Sequence, residues 1–382
     1  MNNEREPFVK PSSARNNVWL SERRKEYMPR ISAEEIRELE VKILRNLGAS
    51  QEYAELVVDM LVEASLVGHD SHGVHYITRY AERIKKGIID PKAVPEVTKE
   101  TASTAVVDGH WGFGQVTAKK TMEVAIEKAE KSSVSAVGAI HCNHMGRLGA
   151  YTSLAAEKNM VGLLAVNVVH PTVQAFGGTT RFFGSNPISV AAPTNQPNPF
   201  LLDFATSAVA EGKVGWAAMT GQKKIPQGWI VDEDGHDTED PLDFSLPNGA
   251  VNENGNGRML SFGGREGHKG YALSFLMEIL GGLLPGAGSV SDENMHVYEN
   301  GLLAIVLNVN SFTPITTFKT RINALIKKTH AEPVREGFQY DQVQVPGEFE
   351  WRNRETRLQE GIDIPEVAWK QIKQLAEETS HS

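Results

Sequence analysis

The chain has 382 residues, of which 40% are hydrophobic and 23% charged, a composition ordinary for a globular protein of two or three structural units. Its formal net charge of -9 argues against nucleic acid or an anionic membrane as a partner, because either favours a basic surface. Cys142 is the single cysteine, which excludes an intrachain disulfide and favours a reducing, cytoplasmic location. No apolar run reaches the roughly 20 residues that a transmembrane helix needs.

Residues 1–30 are predicted to form a flexible N-terminal extension. They lack the apolar core of a secretory signal. Glu22 and Glu26 flank three basic residues, whereas a transit peptide is poor in acidic residues. A solvated extension therefore fits this segment better than a targeting peptide.

Two helices are predicted after this extension. Ser32 and Glu35 have the spacing of a capping box, and apolar residues follow on one helical face until Gly48. A second helix is predicted over 50–65, from its apolar positions at helical spacing. The two helices form a hairpin that leads into the polar segment 68–74.

Strands and helices alternate in the rest of the chain. The predicted strands are 104–107, 135–140, 161–168, a hairpin of 188–192 with 200–204, and a central strand at 302–309. The predicted helices are 79–86, 117–131, 149–158, a buried helix at 269–284, and 318–328 and 365–378; an exposed loop is predicted at 235–257. This order indicates an α/β fold of the α+β type. We predict a discontinuous helical domain of residues 31–100 plus 315–382, and an α/β domain of residues 101–314.

One glycine-rich turn was compared with the dinucleotide-binding fingerprint. Gly112 and Gly114 follow a predicted strand and precede a helix. The third small residue of the fingerprint is missing, and no acidic residue ends a second strand about twenty positions later. The segment is therefore interpreted as a turn that closes a strand onto a helix, and the fold as non-Rossmann.

Histidines form two groups in this sequence. His69, His72 and His75 are spaced by three residues, and His141 and His144 repeat that spacing. Imidazole titrates near neutral pH, and His72 lies in a polar segment directly after an apolar helix, so it is the first candidate for proton transfer. A metal site is the alternative, because residues spaced by three can share a helix face. No recognisable zinc pattern completes either group, and no metal ligand is assigned.

Three further polar residues have two interpretations each. Arg181 lies in the glycine-rich segment 176–187, which forms either a phosphate-binding loop or a tight turn. Asp203 ends an apolar strand, where it pairs with a histidine or caps a helix. Lys269 opens a predicted helix against the helix dipole, which indicates either an anionic ligand or a tolerated exposed lysine.

Short motifs distributed over the chain resemble those of the type-2 malate/L-lactate dehydrogenase family. That family includes ureidoglycolate dehydrogenase, diketogulonate reductase, sulfolactate dehydrogenase and piperideine-carboxylate reductase. The resemblance extends from about residue 31 to residue 378 and rests on the order and spacing of the motifs. The matching segments are Asp-Ser-His-Gly-Val at 70–74, Gly-Phe-Gly-Gln at 112–115, Asn-His-Met-Gly at 143–146, Phe-Gly-Gly at 176–178, Gly-Ser-Asn-Pro at 184–187, Leu-Asp-Phe-Ala-Thr-Ser at 202–207, Ile-Pro-Gln-Gly-Trp at 225–229, His-Lys-Gly-Tyr at 268–271 and Pro-Gly at 346–347.

The resemblance implies an oxidoreductase that uses NAD or NADP without a Rossmann fold and forms a homodimer. It implies an acid/base role for His72 in some branches of the family and for His144 in the ureidoglycolate branch. The cofactor contacts that it implies are His170, Pro171, Asp203, Phe204, Ala205, Lys269, Gly347 and Glu348.

The sequence departs from the family at the substrate carboxylate. Several members have an arginine four residues after the motif histidine, where this chain has Tyr76. Arg79, Arg147 or Arg181 can supply the guanidinium instead, and we predict that Arg79, Tyr80 and Arg181 contact the substrate. The departure leaves malate, lactate and ureidoglycolate open as substrate types.

The predicted reaction is reversible hydride transfer between nicotinamide and a small 2-hydroxy acid or 2-oxoacid. His72 is expected to give or take the proton, while Ser71 and Asp203 set its orientation and charge. A carboxylate beside His72 is expected to raise the pKa of that imidazole. His144 is the second candidate for this role. Two other classes stay open: a metal-dependent hydrolase that uses the histidine groups, and a non-catalytic nucleotide-binding protein descended from the family.

Overall fold

The computed structural model describes residues 28–219, 221–244, 256–293, 296 and 298–380. The predicted N-terminal extension lies outside these residues, apart from its last three. Within the described ranges, no helix has the length and apolar character needed to cross a membrane.

Helices and strands alternate along the described chain. In chain order they are β1 (Arg30–Ile31), α1 (Ala33–Asn46), α2 (Gln51–Leu66), α3 (Ile77–Lys85), β2 (Glu96–Glu100), β3 (Thr104–Asp108), α4 (Gly114–Ser132), β4 (Val134–Ile140), α5 (Gly149–Glu157), β5 (Met160–Val168), β6 (Val173–Gln174), β7 (Arg181–Phe183), β8 (Ile188–Ala192), β9 (Phe200–Phe204), α6 (Glu211–Met219), β10 (Ile230–Val231), β11 (Asp237–Thr238), β12 (Arg258–Met259), α7 (His268–Met277), β13 (Asn300–Asn308), α8 (Ile315–His330), α9 (Glu348–Glu360), β14 (Ile362–Asp363) and α10 (Glu366–Ser380). A 3₁₀ turn, Asp70–His72, follows α2, and a π-helical turn, Glu278–Leu283, continues α7.

Serine caps start the first two helices. The hydroxyl of Ser32 accepts a hydrogen bond from the Glu35 amide at 3.1 Å, and Ser50 does the same for the Tyr53 amide at 3.1 Å. Each cap satisfies a backbone donor that has no partner within its helix. The predicted positions of both helices are confirmed.

The two chain ends pack together in one helical core. β1 pairs with β14 in an antiparallel ladder, with Arg30 opposite Asp363. The buried core contains apolar residues from 36–116 and 362–376. The domain division at residues 100 and 315 stays a prediction. Among the described residues, β2 joins the neighbouring sheet and α8 adds no residue to this core.

The largest sheet has seven strands in the order β2-β3-β4-β13-β5-β8-β9. Its neighbouring strands are antiparallel except β3 and β4. β13 is the central strand, as predicted, and its Ala304 lies between Val137 and Leu164. The hairpin predicted from 188–192 and 200–204 is confirmed as the β8–β9 pair. α4 and α5 pack on this sheet and bury its core.

A second sheet has five short strands in the order β11-β10-β12-β6-β7. α6 packs on it around a small core that includes Phe183, Val214 and Phe244. The loop predicted at 235–257 contains β11, and its residues 245–255 lie outside the described chain.

The prediction that the helical segment 269–284 is buried is wrong. Phe275 is 47% exposed, Leu283 52% and Leu284 64%. On the opposite side Gly281 packs so closely on β5 that an added Cβ would lie 2.5 Å from the Asn167 amide nitrogen. The segment is apolar all round, and sequence alone did not show that one face would stay uncovered.

Candidate functional site

The segment that carries His72 is fixed by contacts from both sides. The Asp70 carboxylate accepts hydrogen bonds from two Arg357 nitrogens of α9, at 2.6 and 3.0 Å. A Cβ on Gly73 would lie 2.0 Å from the Ser65 hydroxyl, which accepts a hydrogen bond from the Val74 amide at 3.1 Å. Glycine is therefore required where the turn crosses the end of α2.

His72 is uncharged at neutral pH in this structure. Burial is the largest cause that lowers the pKa of His72 to about 3, and nearby charges, including those of Lys213 and Arg79, contribute to the same lowering. Its Nδ1 lies 3.0 Å from the Ser71 hydroxyl, as expected for an orienting contact. The predicted rise in the pKa of His72 is wrong, because desolvation outweighs any attraction to a carboxylate.

The carboxylate expected beside His72 has another partner. Asp203 Oδ2 accepts a hydrogen bond from the Gly149 amide at 2.6 Å. Gly149 is the first residue of α5, so the carboxylate caps that helix from the end of β9. Burial raises the pKa of Asp203, and the charge of His69 partly opposes this rise. Asp203 therefore joins β9 to α5 rather than pairing with His72.

The structure brings the two candidate histidines side by side. The ring centroids of His72 and His144 are 5.5 Å apart, with 21° between the ring planes. Tyr76 stacks on His144 at 4.3 Å and 13°. The three nearly parallel rings of His72, His144 and Tyr76 thus form one aromatic group.

A buried tyrosine and a buried glutamine hold the second histidine. The Tyr80 hydroxyl lies 2.8 Å from His144 Nδ1, and Gln115 Nε2 donates to that hydroxyl at 2.5 Å. Tyr80 and Gln115 are both 0% exposed. Burial is the largest cause of the lowered pKa of His144. The hydroxyl of Tyr80 thus has two protein partners, and the predicted contact of Tyr80 with the substrate stays a prediction.

The glycine turn before α4 makes this arrangement possible. A Cβ on Gly114 would lie 2.2 Å from the Asn143 carbonyl oxygen and 2.4 Å from that of His144. The Asn143 amide in turn donates to the Gly112 carbonyl at 3.0 Å. These contacts agree with the interpretation of the segment as a packing turn, and Gln115 immediately after it reaches Tyr80.

Two of the three candidate arginines have clear partners. Arg79 Nη1 donates to the Tyr76 hydroxyl at 3.3 Å, and its guanidinium lies 4.9 Å from the centre of that ring. Arg181 Nε donates to the Gly257 carbonyl at 3.0 Å, within the five-stranded sheet. Arg79 is therefore at the aromatic group, whereas Arg181 is bound to a different part of the fold.

The third arginine is buried with unused donors. Arg147 is 6% exposed, and its Nε and Nη1 atoms have no hydrogen-bond partner among the described residues. A Cβ on Gly149 would lie 2.8 Å from Arg147 Nη1 and 3.1 Å from Asp203 Oδ2. Arg147 therefore lies beside Asp203 rather than beside His72.

α6, a helix that was not predicted from the sequence, lies against the His72 segment. A Cβ on Gly212 would lie 2.6 Å from Ser71 Cβ. The rings of Trp216 and His75 are 5.8 Å apart, and burial lowers the pKa of His75 to about 4. The signal in the sequence was weak, because a glycine at a helix start has many uses.

The residues predicted to bind the cofactor come from separate elements. His170 and Pro171 follow β5, and His170 Nε2 is buried with no partner among the described residues. Phe204, at the end of β9, faces Phe262 with 5.9 Å between ring centroids. Ala205 directly follows Phe204 in the chain.

Two glycine-rich segments adjoin this region. Lys269 is exposed in the first turn of α7, as predicted. An open cavity of about 470 Å³ is lined by Phe262, Trp229 and neighbouring glycines before α7. Gly347 begins α9 close to β9, since its Cβ would lie 3.1 Å from Leu201 Cβ. The Glu348 carboxylate lies 2.7 Å from His330 Nε2, and the Glu348 backbone amide donates to the Val345 carbonyl at 3.1 Å.

The chain is similar to known proteins over most of its length. The sequence pattern of the malate/L-lactate dehydrogenase family matches residues 31–373. A malate/(S)-sulfolactate dehydrogenase of Methanothermus fervidus is 37% identical over 355 residues, which cover 91% of this chain and 97% of that protein. Hydroxycarboxylate dehydrogenase B of Escherichia coli K12 is 32% identical over 336 residues, which cover 86% of this chain and 89% of that protein.

Solved structures give the same result. Malate dehydrogenase from Entamoeba histolytica has a TM-score of 0.85 to this chain at 29% identity, covering 92% of this chain and 98% of the other. Sulfolactate dehydrogenase from Methanocaldococcus jannaschii has a TM-score of 0.79 at 33% identity, covering 92% and 98%. The fold is thus shared along almost the whole of each chain.

Proposed function

Because the chain belongs to the malate/L-lactate dehydrogenase family, we propose that it transfers a hydride between a nicotinamide cofactor and a small 2-hydroxy acid or 2-oxoacid. The family makes it a dehydrogenase that acts on the CH–OH group of hydroxy acids. The observation that carries the residue assignment is the pair of uncharged imidazoles, His72 and His144, stacked beside Arg79.

The family implies a nicotinamide cofactor, and we propose NAD or NADP, bound by the segments named above. When bound, the nicotinamide supplies the hydride donor or acceptor. The unpaired His170 Nε2 and the exposed Lys269 fit a polar, anionic ligand. The unused donors of Arg147 beside Asp203 support an anionic group at that end of the site. The mainly antiparallel sheet supports binding without a Rossmann fold.

His72 is proposed to accept the hydroxyl proton when the substrate is oxidised. An imidazole with a lowered pKa is unprotonated at neutral pH and ready to act as a base. The Ser71 hydroxyl occupies Nδ1, so Nε2 is the nitrogen left for the substrate. An anionic substrate beside His72 raises the pKa of that imidazole, which favours the protonated form once the proton has been transferred.

Arg79 is proposed to bind the substrate carboxylate. Its guanidinium is next to the Tyr76 ring that stacks on His144, and its charge also contributes to the lowered pKa of His72. Guanidinium matches a carboxylate with two parallel hydrogen bonds. The contacts of Arg181 within the small sheet argue against that residue for this role.

The two other classes are not favoured. The first histidine group diverges in the structure: His69 contacts Glu350 at 3.3 Å, whereas His72 contacts Ser71. The second group diverges as well, because His141 contacts Asp108 and His144 contacts Tyr80. A hydrolase with a shared metal therefore has less support than the dehydrogenase. A non-catalytic descendant has less support because the aromatic group and its arginine are intact.

We also propose a homodimer in the cytoplasm. The uncovered side of α7 and the turn after it exposes Phe275, Leu283 and Leu284, and neighbouring exposed apolar side chains of this kind mark interaction surfaces. Light scattering of the purified protein should give twice the mass of one chain. Leu283→Glu, which puts a charge in this patch, should shift the mass toward one chain.

The test of the activity is turnover of reduced nicotinamide by the purified protein. NADH and NADPH are each offered with oxaloacetate, pyruvate, sulfopyruvate and oxalurate, and absorbance loss is followed. We expect at least one pair to turn over, with no loss of rate after chelator treatment. A rate for His72→Asn equal to the parent rate on the best substrate would contradict the assignment, as would a panel with no turnover.

A further inference from the structure

We infer that Gln115 and Tyr80 are positioning residues that fix His144 with its proton on Nε2. His144 then serves the reaction as a hydrogen-bond donor to the substrate oxygen, and His72 alone accepts the proton. This inference rests on the proposed dehydrogenase function and divides the work between the two histidines of that site.

The direction of the hydrogen bonds follows from what each group can do. A glutamine NH₂ group only donates, so at 2.5 Å Gln115 Nε2 gives a hydrogen to the Tyr80 oxygen. A phenol has one hydrogen of its own, and burial raises the pKa of Tyr80, so that hydrogen is retained. Among the described residues His144 Nδ1, 2.8 Å away, is the one acceptor within reach of that hydrogen, so the Tyr80 hydroxyl donates to it.

The tautomer of His144 follows from this direction. Burial lowers the pKa of His144, so the imidazole carries one proton rather than two. Nδ1 accepts a hydrogen from Tyr80, and the single N–H must then be on Nε2. The hydrogen bond from Tyr80 thus determines that Nε2, rather than Nδ1, presents a hydrogen to a ligand.

This tautomer suits one task and excludes another. An Nε2–H group can stabilise the negative charge that develops on the substrate oxygen during hydride transfer. It cannot accept the substrate proton, because it has no free lone pair there. His72 lies 5.5 Å away between ring centroids and is the remaining base of the pair.

The direct test is nuclear magnetic resonance of the protein with isotope-labelled histidine, because nitrogen shifts distinguish the two tautomers. The His144 signals are those lost in His144→Gln. In the parent we expect the Nε2–H form. Tyr80→Phe removes the donor to Nδ1, and Gln115→Met removes the group that orients the Tyr80 hydroxyl, so each should give a mixture of tautomers. Two variants keep the test usable where one fails to fold.

The matched control is Tyr151→Phe. Its buried hydroxyl donates to the Met145 carbonyl, one residue after His144, without touching the imidazole. The control loses a buried hydrogen bond of the same loop and should keep the Nε2–H form. A shift of tautomer in this control as large as in Tyr80→Phe would overturn the relay.

Kinetics supply the second measurement. His144→Gln keeps an amide N–H near the Nε2 position and should retain turnover within about tenfold of the parent. His144→Leu loses the donor and should lose about 10²–10³ in kcat, with the KM for cofactor unchanged. Equal losses in the two variants, or a parent with its proton on Nδ1, would overturn the inference. The tautomer is measured without turnover, so a blank substrate panel would count against the proposed function alone.

Discussion

At single residues, burial decides the charge of the two histidines that are proposed to act in the reaction. His72 is surrounded by protein atoms, and desolvation takes its pKa to about 3 even though some of its surface stays accessible. Its neighbour His144 is lowered for the same reason. Both imidazoles therefore meet a substrate uncharged, which suits His72 to the proposed removal of a proton and leaves His144 with one N–H to donate.

His72→Asn should remove the base and keep the fold. We expect kcat to fall by about 10²–10⁴-fold, the usual contribution of general acid–base catalysis. The dissociation constant of reduced cofactor, measured by fluorescence, should change little. His236→Asn changes a histidine that is 79% exposed and should behave as the parent. Turnover of His72→Asn within tenfold of the parent would contradict the assignment.

Arg79→Met should weaken substrate binding and shift the pH profile. A charge-assisted hydrogen bond contributes about 1.5–3 kcal/mol, so the KM for hydroxy acid should rise about 10–100-fold. The positive charge of Arg79 contributes to the lowered pKa of His72, so the acid limb of the rate profile should move to higher pH. Arg181→Met, a change in the small sheet, should leave both unchanged. Equal KM increases in the two variants would contradict the role of Arg79.

Residue types could be predicted from the sequence, but their pairing could not. Two histidines in polar, glycine-bounded segments were enough to select His72 and His144. Tyr80 lies 64 positions from His144 and 35 positions from Gln115 along the chain, and neither the contacts nor their donor directions are visible in the sequence. The pKa of His72 was predicted in the wrong direction because the burial of a loop residue depends on the packing of α6 and α9.

At the level of elements, α1 contains one residue that its helical pattern does not explain. Glu40 is 0% exposed, and neither carboxylate oxygen has a hydrogen-bond partner among the described residues. Burial raises the pKa of Glu40 well above 4.5. When folding raises the pKa of a carboxyl group, the stability linked to that group is fully present below the pKa of the unfolded chain. It is lost as the pH rises through the pKa of the folded protein. Glu40 therefore costs stability at neutral pH.

Glu40→Met should stabilise the protein. The replacement has a similar length and no polar atoms to bury, so we expect a gain of about 1–3 kcal/mol in the free energy of unfolding near neutral pH. The gain should shrink as the pH approaches the ordinary pKa of glutamate. Glu38→Met, an exposed site on the same helix, should change stability by no more than about 0.5 kcal/mol. Urea titrations measure both, and a loss of stability in Glu40→Met would contradict the expected cost.

Elements with clear end signals and one apolar face were predicted well. Serine caps mark the starts of α1 and α2, so the positions of these helices could be predicted. β13 is a long apolar run, so its central place in the sheet could be predicted as well. α7 lacks such a pattern because apolar residues occur on every side. Its uncovered face depends on what packs around it, which is a property of the assembled molecule.

For the whole molecule, the site depends on contacts between distant parts of the chain. Arg357 holds Asp70 next to the His72 turn, and Trp351 Nε1 donates to the Pro199 carbonyl at 3.3 Å. α9 thus links the helical core to the end of the large sheet. Stability and the geometry of the site are coupled through this helix, so conditions that loosen the fold also disturb the aromatic group.

Acid is one such condition. His72, His75, His144 and His170 all have pKa values lowered by burial. Histidine in the unfolded chain titrates near pH 6.5, so below that pH the unfolded state binds more protons than the folded state. The stability linked to these four histidines is therefore fully present above about pH 6.5. It is lost as the pH falls toward their pKa values in the folded protein.

The free energy of unfolding should accordingly fall between about pH 6.5 and about pH 4. Each of His72 and His75 contributes up to about 1.4 kcal/mol per pH unit, because the pKa of each is lowered through this whole range. The double variant His72→Asn with His75→Asn should show a shallower dependence, even where its stability near neutral pH is lower. His236→Asn should keep the slope of the parent. If the stability of the parent does not change across this range, these imidazoles are hydrated in solution. Burial would then not keep His72 uncharged, and the proposed mechanism depends on an uncharged base.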